Sequence, residues 1–270
     1  MTTHLDQKVP KADPKASEAD GPGVRSVDRA VDLLDSFDRD HPAWTLRALS
    51  QRCGLPKTTV IRLVAALEQR GLLWHRPDGA IALGPGLLRW AGLAESAWQI
   101  EPRAIRVMQD LCTETRETVN LYVRSGTARV CVAQQPGPQS LRQVVAVGDA
   151  LPLWAGAAGR ILLIGCDESL MKAVARISPD GLGGLDRLKG LIRRAERDGF
   201  AVTHGEREMG ASGIACPVRD PSGQISAALA VGGPTGRFRG DRVAAMVTTV
   251  VGAADSLAGL AVIGSDAVGP

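Results

Sequence analysis

Apolar residues recur at helical spacing in three short segments between residues 26 and 71. The first segment begins at Ser26, a residue type that suits an N-cap. The second runs from Thr45 to Gly54, where glycine can end a helix with positive φ. The third covers residues 56–71. The pattern predicts three helices with a tight turn between the last two, which is the order of a helix-turn-helix.

Two short β-prone runs, LLWHR and AIAL, follow the third helix and flank Pro77-Asp78-Gly79. Such runs around a turn sequence predict a β-hairpin. In this position the hairpin is a wing, so residues 24–84 are expected to form a winged helix-turn-helix domain. Residues 1–23 mix both charge signs with Pro, Ala and Gly and are expected to be a disordered arm.

A further helical pattern covers residues 85–105, with a break marked at Pro102, and is interpreted as a linker helix. Helical and strand-like periods alternate beyond it, over residues 106–264. Helices are predicted in a segment that ends at Thr115 and at residues 156–163, 185–198 and 241–260. Strands are predicted at TVNLYVR, ARVCVAQ, LRQVVAV, FAVT, SGIACPV and ISAALAV. The predicted fold class is α+β, with one antiparallel-rich sheet and helices to one side of it.

Composition adds little to this interpretation, because the net charge is only +3. No apolar stretch approaches the roughly 18 residues of a membrane helix, and the five cysteines include no C-x-x-C pair. A cytoplasmic protein without a membrane partner is expected. The four histidines lack metal-ligand spacing, so neither a metal nor a cofactor is expected.

The third predicted helix carries hydrogen-bond donors on the face opposite its apolar stripe. Residues 52–70 also hold four basic residues against one acidic residue. Small residues and donors on one face are what a helix needs to enter the major groove of DNA. The DNA-binding residues predicted on this helix and on the wing are Lys57, Thr58, Thr59, Arg62, Gln69 and Arg76.

The segments SVDRAVDLLDSF, TLRALSQRCGLPKTTVIRLVAALEQRGLL and IALGPGLL resemble the DNA-binding domain of IclR-type regulators, the isocitrate lyase regulator family. The likeness continues through GDALPLWAGAAGRILL and RRAERDGFAVTHGEREMGASGIACPVRDPSGQISAALAVGGP, and so covers roughly residues 24 to 262. The resemblance implies a GAF-like effector domain after the linker helix. It also implies homodimers or tetramers on palindromic double-stranded operator DNA.

The resemblance also implies an effector pocket roofed by residues 151–159, floored by 227–233 and closed by 203–213. Members that bind small keto acids have Asp, Cys, Ser and Ser where this chain has Thr203, Gly213, Ala230 and Gly232. A larger and more apolar pocket for an organic acid is therefore expected. The predicted effector-binding residues are Leu141, Val147, Trp154, Ala157, Ala158, Gly159, Thr203, Gly213, Ala230 and Gly232. Backbone N–H groups at Ala157, Ala158 and Gly159 are expected to hold an anion.

The sequence thus predicts a DNA-binding transcriptional regulator whose operator affinity a small metabolite adjusts. One alternative keeps the sensor domain but makes the winged domain a protein-interaction module. An enzyme is the weaker alternative, because Cys131 and Cys216 lie on predicted strands without a positioned base. Glu206 is interpreted as a structural anchor for its loop.

Overall fold

The computed structural model describes residues 24–38, 40–143 and 145–259, and these form two compact units that divide between Ser96 and Ala97. The arm predicted for residues 1–23 and the end of the predicted effector domain, residues 260–264, lie outside the described residues. Among the described helices, none combines the length and the apolar character that crossing a bilayer requires.

Four helices and a small sheet make up the described part of the first unit. Its elements are α1 (Arg25–Leu34), β1 (Ala43–Trp44), α2 (Leu46–Cys53), α3 (Lys57–Gln69), β2 (Leu73–His75), β3 (Ile81–Leu83) and α4 (Gly86–Ala97). The first three helices and the wing each contribute to one buried core, formed by Leu33, Leu49, Val60, Val64, Leu73 and Ile81. Because each of these elements supplies a buried residue, the unit has its own hydrophobic centre.

Local capping fixes the helix-turn-helix. The Thr45 side chain accepts a hydrogen bond from the backbone N–H of Ala48 at 3.2 Å, and Gly54 ends α2 with a φ of 64°. These two features confirm the predicted limits of the second helix. The predicted cap at Ser26 was wrong, because α1 begins one residue earlier, at Arg25, with Val24 in the N-cap position.

The wing is the predicted hairpin with an additional strand. β2 and β3 pair antiparallel, and β1 adds to the free edge of β3 in the order β1-β3-β2. The turn between them places Gly79 at a φ of 79°, which an L side chain rarely adopts. The sequence did not predict β1, because a two-residue strand has no detectable period of its own.

The helix predicted over residues 85–105 is interrupted. α4 ends at Ala97, and the next helix, α5 (Pro102–Thr115), begins at the proline that was expected to mark only a break. Pro102 occupies the first turn of α5, where its missing N–H is harmless, and Glu101 accepts a hydrogen bond from the N–H of Ala104 at 3.2 Å.

The second unit is built on a six-stranded antiparallel sheet. Its strands are β4 (Thr118–Ser125), β5 (Ala128–Gln135), β6 (Ala150–Pro152), β7 (Ala201–His204), β8 (Ala211–Arg219) and β9 (Ile225–Pro234). They are arranged in the order β6-β5-β4-β9-β8-β7. Its helices after α5 are α6 (Ala157–Leu162), α7 (Glu168–Arg176), α8 (Leu185–Asp198) and α9 (Asp241–Ser256).

Helices cover both faces of this sheet, so the expectation of helices on one side was wrong. α5 and α9 pack on one face around Met108, Leu229 and Val250. α6 and α8 pack on the other around Ile161 and Ile192. The central strand β9 is buried along nearly its whole length, as expected of a strand that is covered on both faces.

The strand predicted at LRQVVAV was also wrong. The described residues there, 141–143 and 145–147, belong to a loop, and the edge strand is β6, which pairs with β5. Of the described valines in the run, Val145 is buried and Val147 is exposed. The apolar residues therefore do not indicate a strand that is buried on both faces. Helix α7 was not predicted.

Candidate DNA-binding surface and effector pocket

Helix α3 presents an exposed face opposite its buried stripe of Val60 and Val64. Four of the predicted DNA-binding residues on α3 are exposed, namely Lys57, Thr58, Arg62 and Gln69. The fifth, Thr59, is half-buried. Ala65 and Ala66 are exposed between Arg62 and Gln69, so the backbone of α3 is accessible there. This face has the small residues and donors that a recognition helix needs in the major groove.

The wing holds the acidic side chain beside this face. Glu68, the acidic residue among residues 52–70, forms a hydrogen bond with the ring Nδ1 of His75 on β2. Arg76 at the tip of the wing is exposed, with its Nη2 3.5 Å from a carboxylate oxygen of Asp78. Lys57 and Arg62 are exposed on α3, and neither has an ion-pair partner among the described residues.

In the second unit a cavity of ≈ 50 Å³ opens on the face of the sheet that carries α6. Six of the ten residues predicted to bind the effector line it, namely Ala157, Ala158, Thr203, Gly213, Ala230 and Gly232. The sheet register brings them together, because Thr203 pairs with Gly213, Gly213 with Gly232, and Asn120 with Ala230. The predicted roof, floor and closing loop therefore meet at one place.

The other four predicted residues do not line this cavity. Leu141 and Val147 are 70% and 61% exposed, and Trp154 borders a separate cavity of ≈ 200 Å³ between α7 and α8. Gly159 is buried, and a side chain there would collide with the carbonyl oxygen of Leu153. Its role is thus to allow close packing of α6.

The backbone N–H groups at the start of α6 already have partners. The N–H of Gly156 donates to Glu206 at 3.2 Å, and the N–H of Ala157 donates to the Thr203 hydroxyl at 3.1 Å. The Ala157 N–H is thus engaged in this arrangement, and the anion site expected at Ala157, Ala158 and Gly159 stays a prediction. Glu206 also binds Arg160 of α6, so it anchors its loop to the helix as the sequence predicted.

Arg129 is the residue that sequence reasoning missed. It lines the cavity, is only 4% exposed, and donates from Nη1 to the carbonyl oxygens of Pro152 and Ala155, the latter at 2.6 Å. Its guanidinium lies 5.4 Å from the centre of the Tyr122 ring, within the range of a cation–π contact. Burial lowers the pKa of Arg129 to about 10, so it remains protonated at neutral pH.

The lining of the cavity argues against the larger and more apolar pocket that was expected. The cavity is small, and polar side chains line much of it, including Asn120, Arg129, Gln143 and Arg207. The Gln143 amide occupies the space above Gly232, where a Cβ would collide with Oε1. The alternation of apolar and other residues along β5 is a sequence signal for the burial of Arg129. Arg129 lies two residues before the buried Cys131, so the two side chains share a face of the sheet.

The two cysteines considered for catalysis, and His204 on β7, have ordinary structural roles. Burial raises the pKa of both Cys131 and Cys216 to about 12, so neither forms a thiolate nucleophile at neutral pH. His204 Nδ1 lies 2.8 Å from the hydroxyl of Ser212, which in turn bonds Thr235. These contacts tie β7, β8 and the segment after β9 together.

The first unit defines the class of a winged helix-turn-helix DNA-binding protein, and the second is an α+β unit with its own pocket. Two protein-family models match the chain. The family model described as IclR helix-turn-helix domain matches residues 26–77, and the one described as bacterial transcriptional regulator IclR C-terminal matches residues 94–258. The chain belongs to the IclR family of transcriptional regulators.

Individual relatives agree with this assignment. The HTH-type transcriptional regulator KipR of Bacillus subtilis is 30% identical over 236 residues, which are 85% of this chain and 94% of KipR. An IclR-family structure from Rhodococcus sp. is 42% identical with a TM-score of 0.61, covering 91% of this chain and 97% of that one. These relatives are named as regulators, which is a non-enzymatic role.

One solved relative carries a ligand. An IclR homologue from Microbacterium hydrocarbonoxydans, solved in complex with 4-hydroxybenzoate, is 25% identical to this chain with a TM-score of 0.62. The match covers 86% of this chain and 97% of that homologue.

Proposed function

We propose that this regulator binds a pseudo-palindromic operator as a homodimer, or as a tetramer of such dimers, and that a small organic acid in the second unit changes its operator affinity. The observation that carries the proposal is the exposed donor face of α3, set within a complete winged helix-turn-helix. In this scheme residues 24–84 are the DNA-binding domain and residues 106–264 the effector domain.

Each predicted contact has a distinct role. Arg62 and Gln69 lie on the part of α3 that would face base edges, and they read the sequence. Lys57, Thr58 and Thr59 at the start of α3 bind phosphates, which positions the helix without reading the bases. Arg76 on the wing adds a contact to the backbone or the minor groove.

Exposed apolar side chains on α1 and α4 support a symmetric assembly. Val27 and Val31 lie one turn apart on α1 and are exposed, and Trp90 and Leu93, three residues apart on α4, are 57% and 59% exposed. A second copy would cover these faces, since contiguous exposed apolar side chains mark association sites. A two-fold assembly also doubles the few base pairs that one recognition helix can read.

The cavity under α6 supports binding of a small acid in the effector domain. It is lined by residues from both the sheet and the start of α6, and Arg129 gives it a buried positive charge. The homologue solved with 4-hydroxybenzoate supports an organic acid as the class of effector. A ligand can alter operator affinity only if it binds two arrangements of the protein unequally.

The proposal is tested by selecting duplexes from a random-sequence library with the full chain and measuring the affinity of the selected DNA by gel shift between 50 and 300 mM salt. Enrichment of an inverted repeat and a steep fall in affinity with salt are expected, because phosphate contacts release counterions. Failure to enrich any sequence would refute operator binding. Binding that ignores salt would favour a protein-interaction role for the winged domain.

A further inference from the structure

We infer that the guanidinium of Arg129, in the cavity beneath α6, binds the carboxylate of the effector. This inference rests on the proposed effector function and specifies which residue recognises the acid. None of the predicted effector-binding residues carries a positive charge. Arg129 therefore supplies a kind of recognition that those residues lack.

The guanidinium of Arg129 is held in place from one side only. Its Nη1 donates to the carbonyl oxygens of Pro152 and Ala155, and the Tyr122 ring lies nearby. Its Nε is buried and has no hydrogen-bond partner among the described residues. The Nε–Nη2 edge is the fork that matches the two oxygens of a carboxylate. A fixed guanidinium whose Nε and Nη2 have no hydrogen-bond partner among the described residues is preorganised to take a carboxylate.

No described carboxylate balances this charge. Glu206 is the acidic residue that lines the cavity, but its two oxygens are already bound to Arg160 and to the N–H of Gly156. Arg207 brings a second positive charge to the cavity lining, and its carboxylate contact is the exposed Glu208 at 3.3 Å. Burying an unpaired charge is costly, so an anion that enters the cavity relieves a penalty that the free protein carries.

The dimensions of the cavity restrict the acid. A volume of ≈ 50 Å³ corresponds to roughly three to five water-sized spaces. An acid of about four to six non-hydrogen atoms, such as acetate or pyruvate, is the size that this space accepts without rearrangement. The amide of Gln143 limits the space on the side of Gly232.

Acid and amide pairs test charge recognition on the unmodified chain. Pyruvate with pyruvamide, and acetate with acetamide, match in shape but differ in charge. Calorimetry and thermal unfolding of the full chain are expected to show at least tenfold tighter binding of each acid than of its amide. Equal binding of acid and amide, or no effect of either acid on unfolding, would overturn the inference. Tighter binding of inorganic phosphate than of pyruvate would also overturn it, since it would indicate a general anion site.

Substitution identifies the residue responsible. Arg129→Lys keeps the charge but loses the planar fork, so pyruvate affinity is expected to fall at least tenfold. Arg124 is the matched control, because it is directly paired with Arg129 across β4 and β5 but is exposed. Arg124→Met should leave pyruvate binding unchanged.

Two further measurements separate the possible causes of failure. If Arg129→Lys does not fold, as judged by circular dichroism, the acid and amide pairs on the unmodified chain decide the question. Operator binding by the unmodified chain is measured in parallel. Operator binding that persists without any binding of acid contradicts this inference and leaves the DNA-binding role standing. Loss of both contradicts the proposed function itself.

Discussion

Glu117 and Arg237 form a two-point ion pair that joins the start of β4 to the segment after β9. Arg237 Nε lies 2.5 Å from Oε1 and Nη2 lies 2.6 Å from Oε2 of Glu117, whose side chain is fully buried. Hydrogen bonding to Glu117 raises the pKa of Arg237. Arg242 adds a contact at 3.4 Å, and Gly233 leaves room for the carboxylate because a Cβ there would collide with it.

Removing Arg237 is therefore expected to destabilise the second unit. Arg237→Met leaves Glu117 buried with only the longer contact from Arg242, and breaking a buried pair in this way costs about 3 kcal/mol. Urea unfolding followed by circular dichroism measures this loss. The control is Arg187→Met, which removes an exposed ion pair with Asp180 and should cost less than about 1 kcal/mol. Equal losses in the two variants would contradict the assigned role of the buried pair.

Two substitutions on α3 should affect DNA binding differently. Arg62→Ala is expected to weaken binding to the selected operator by about 1 to 3 kcal/mol and to relax its sequence preference, because a base contact is lost. Lys57→Ala should weaken selected and unrelated duplexes by similar factors and reduce the salt dependence. Gel-shift titrations at two salt concentrations distinguish these patterns. Arg193→Ala on α8 makes the same charge change in the other unit and is the control.

No loss of affinity in either α3 variant would remove this helix from the DNA interface. A uniform loss for Arg62→Ala would instead make Arg62 a phosphate contact. The two residues would then act in the same way, and sequence reading would have to depend on Gln69 and the small residues beside it.

Local signals explain why much of the fold was predictable from sequence. The limits of α2 and α8 follow from residues at their ends, such as Thr45 at the start of α2 and Gly199, which ends α8 with a φ of 74°. Most strands of the second unit were predicted because their apolar residues form runs in the sequence, such as TVNLYVR and ISAALAV. Strand β1 was missed because its pairing with β3 is the cause of its extended shape, and that partner is distant in sequence.

The resemblance predicted where the cavity beneath α6 lies, but not its polar character. Its floor and roof were located through the resemblance, yet the pocket's polarity depends on Arg129 and Gln143, which reach it from β5 and from a loop. A charged residue in a strand is normally expected to be exposed. Alternation along β5 indicates the face on which Arg129 lies, but it does not indicate the contacts with the carbonyl groups of Pro152 and Ala155 on which its burial depends.

The cysteines should be unreactive in the folded protein. Cys131 and Cys216 are buried and burial raises the pKa of each to about 12, and the half-buried Cys53 and Cys166 also have raised pKa values from burial. A thiol-reactive dye at pH 7.5 is expected to label the first two only after denaturation. Operator binding after treatment of the native protein with N-ethylmaleimide should be unchanged. Rapid labelling of all five thiols, or loss of binding in folded protein, would reveal a redox-sensitive site.

Gln143 is expected to limit the size of the acid that the pocket accepts. The Gln143 side chain occupies the space above Gly232, so 4-hydroxybenzoate is expected to bind the unmodified chain more weakly than pyruvate. Gln143→Ala removes that amide and opens the space to an aromatic ring. Burying about 100 Å² of apolar ring surface is worth about 2.5 kcal/mol, so the variant should gain at least tenfold in affinity for 4-hydroxybenzoate.

Calorimetry with both acids on both proteins measures this exchange of preference. Gln139→Ala lies in the same loop but outside the cavity lining, and it should leave both affinities unchanged. Gly232→Leu fills the floor and should abolish binding of pyruvate and 4-hydroxybenzoate alike, because its side chain enters the space that either acid needs. If the unmodified chain prefers 4-hydroxybenzoate and Gln143→Ala does not change that preference, Gln143 does not set the size limit.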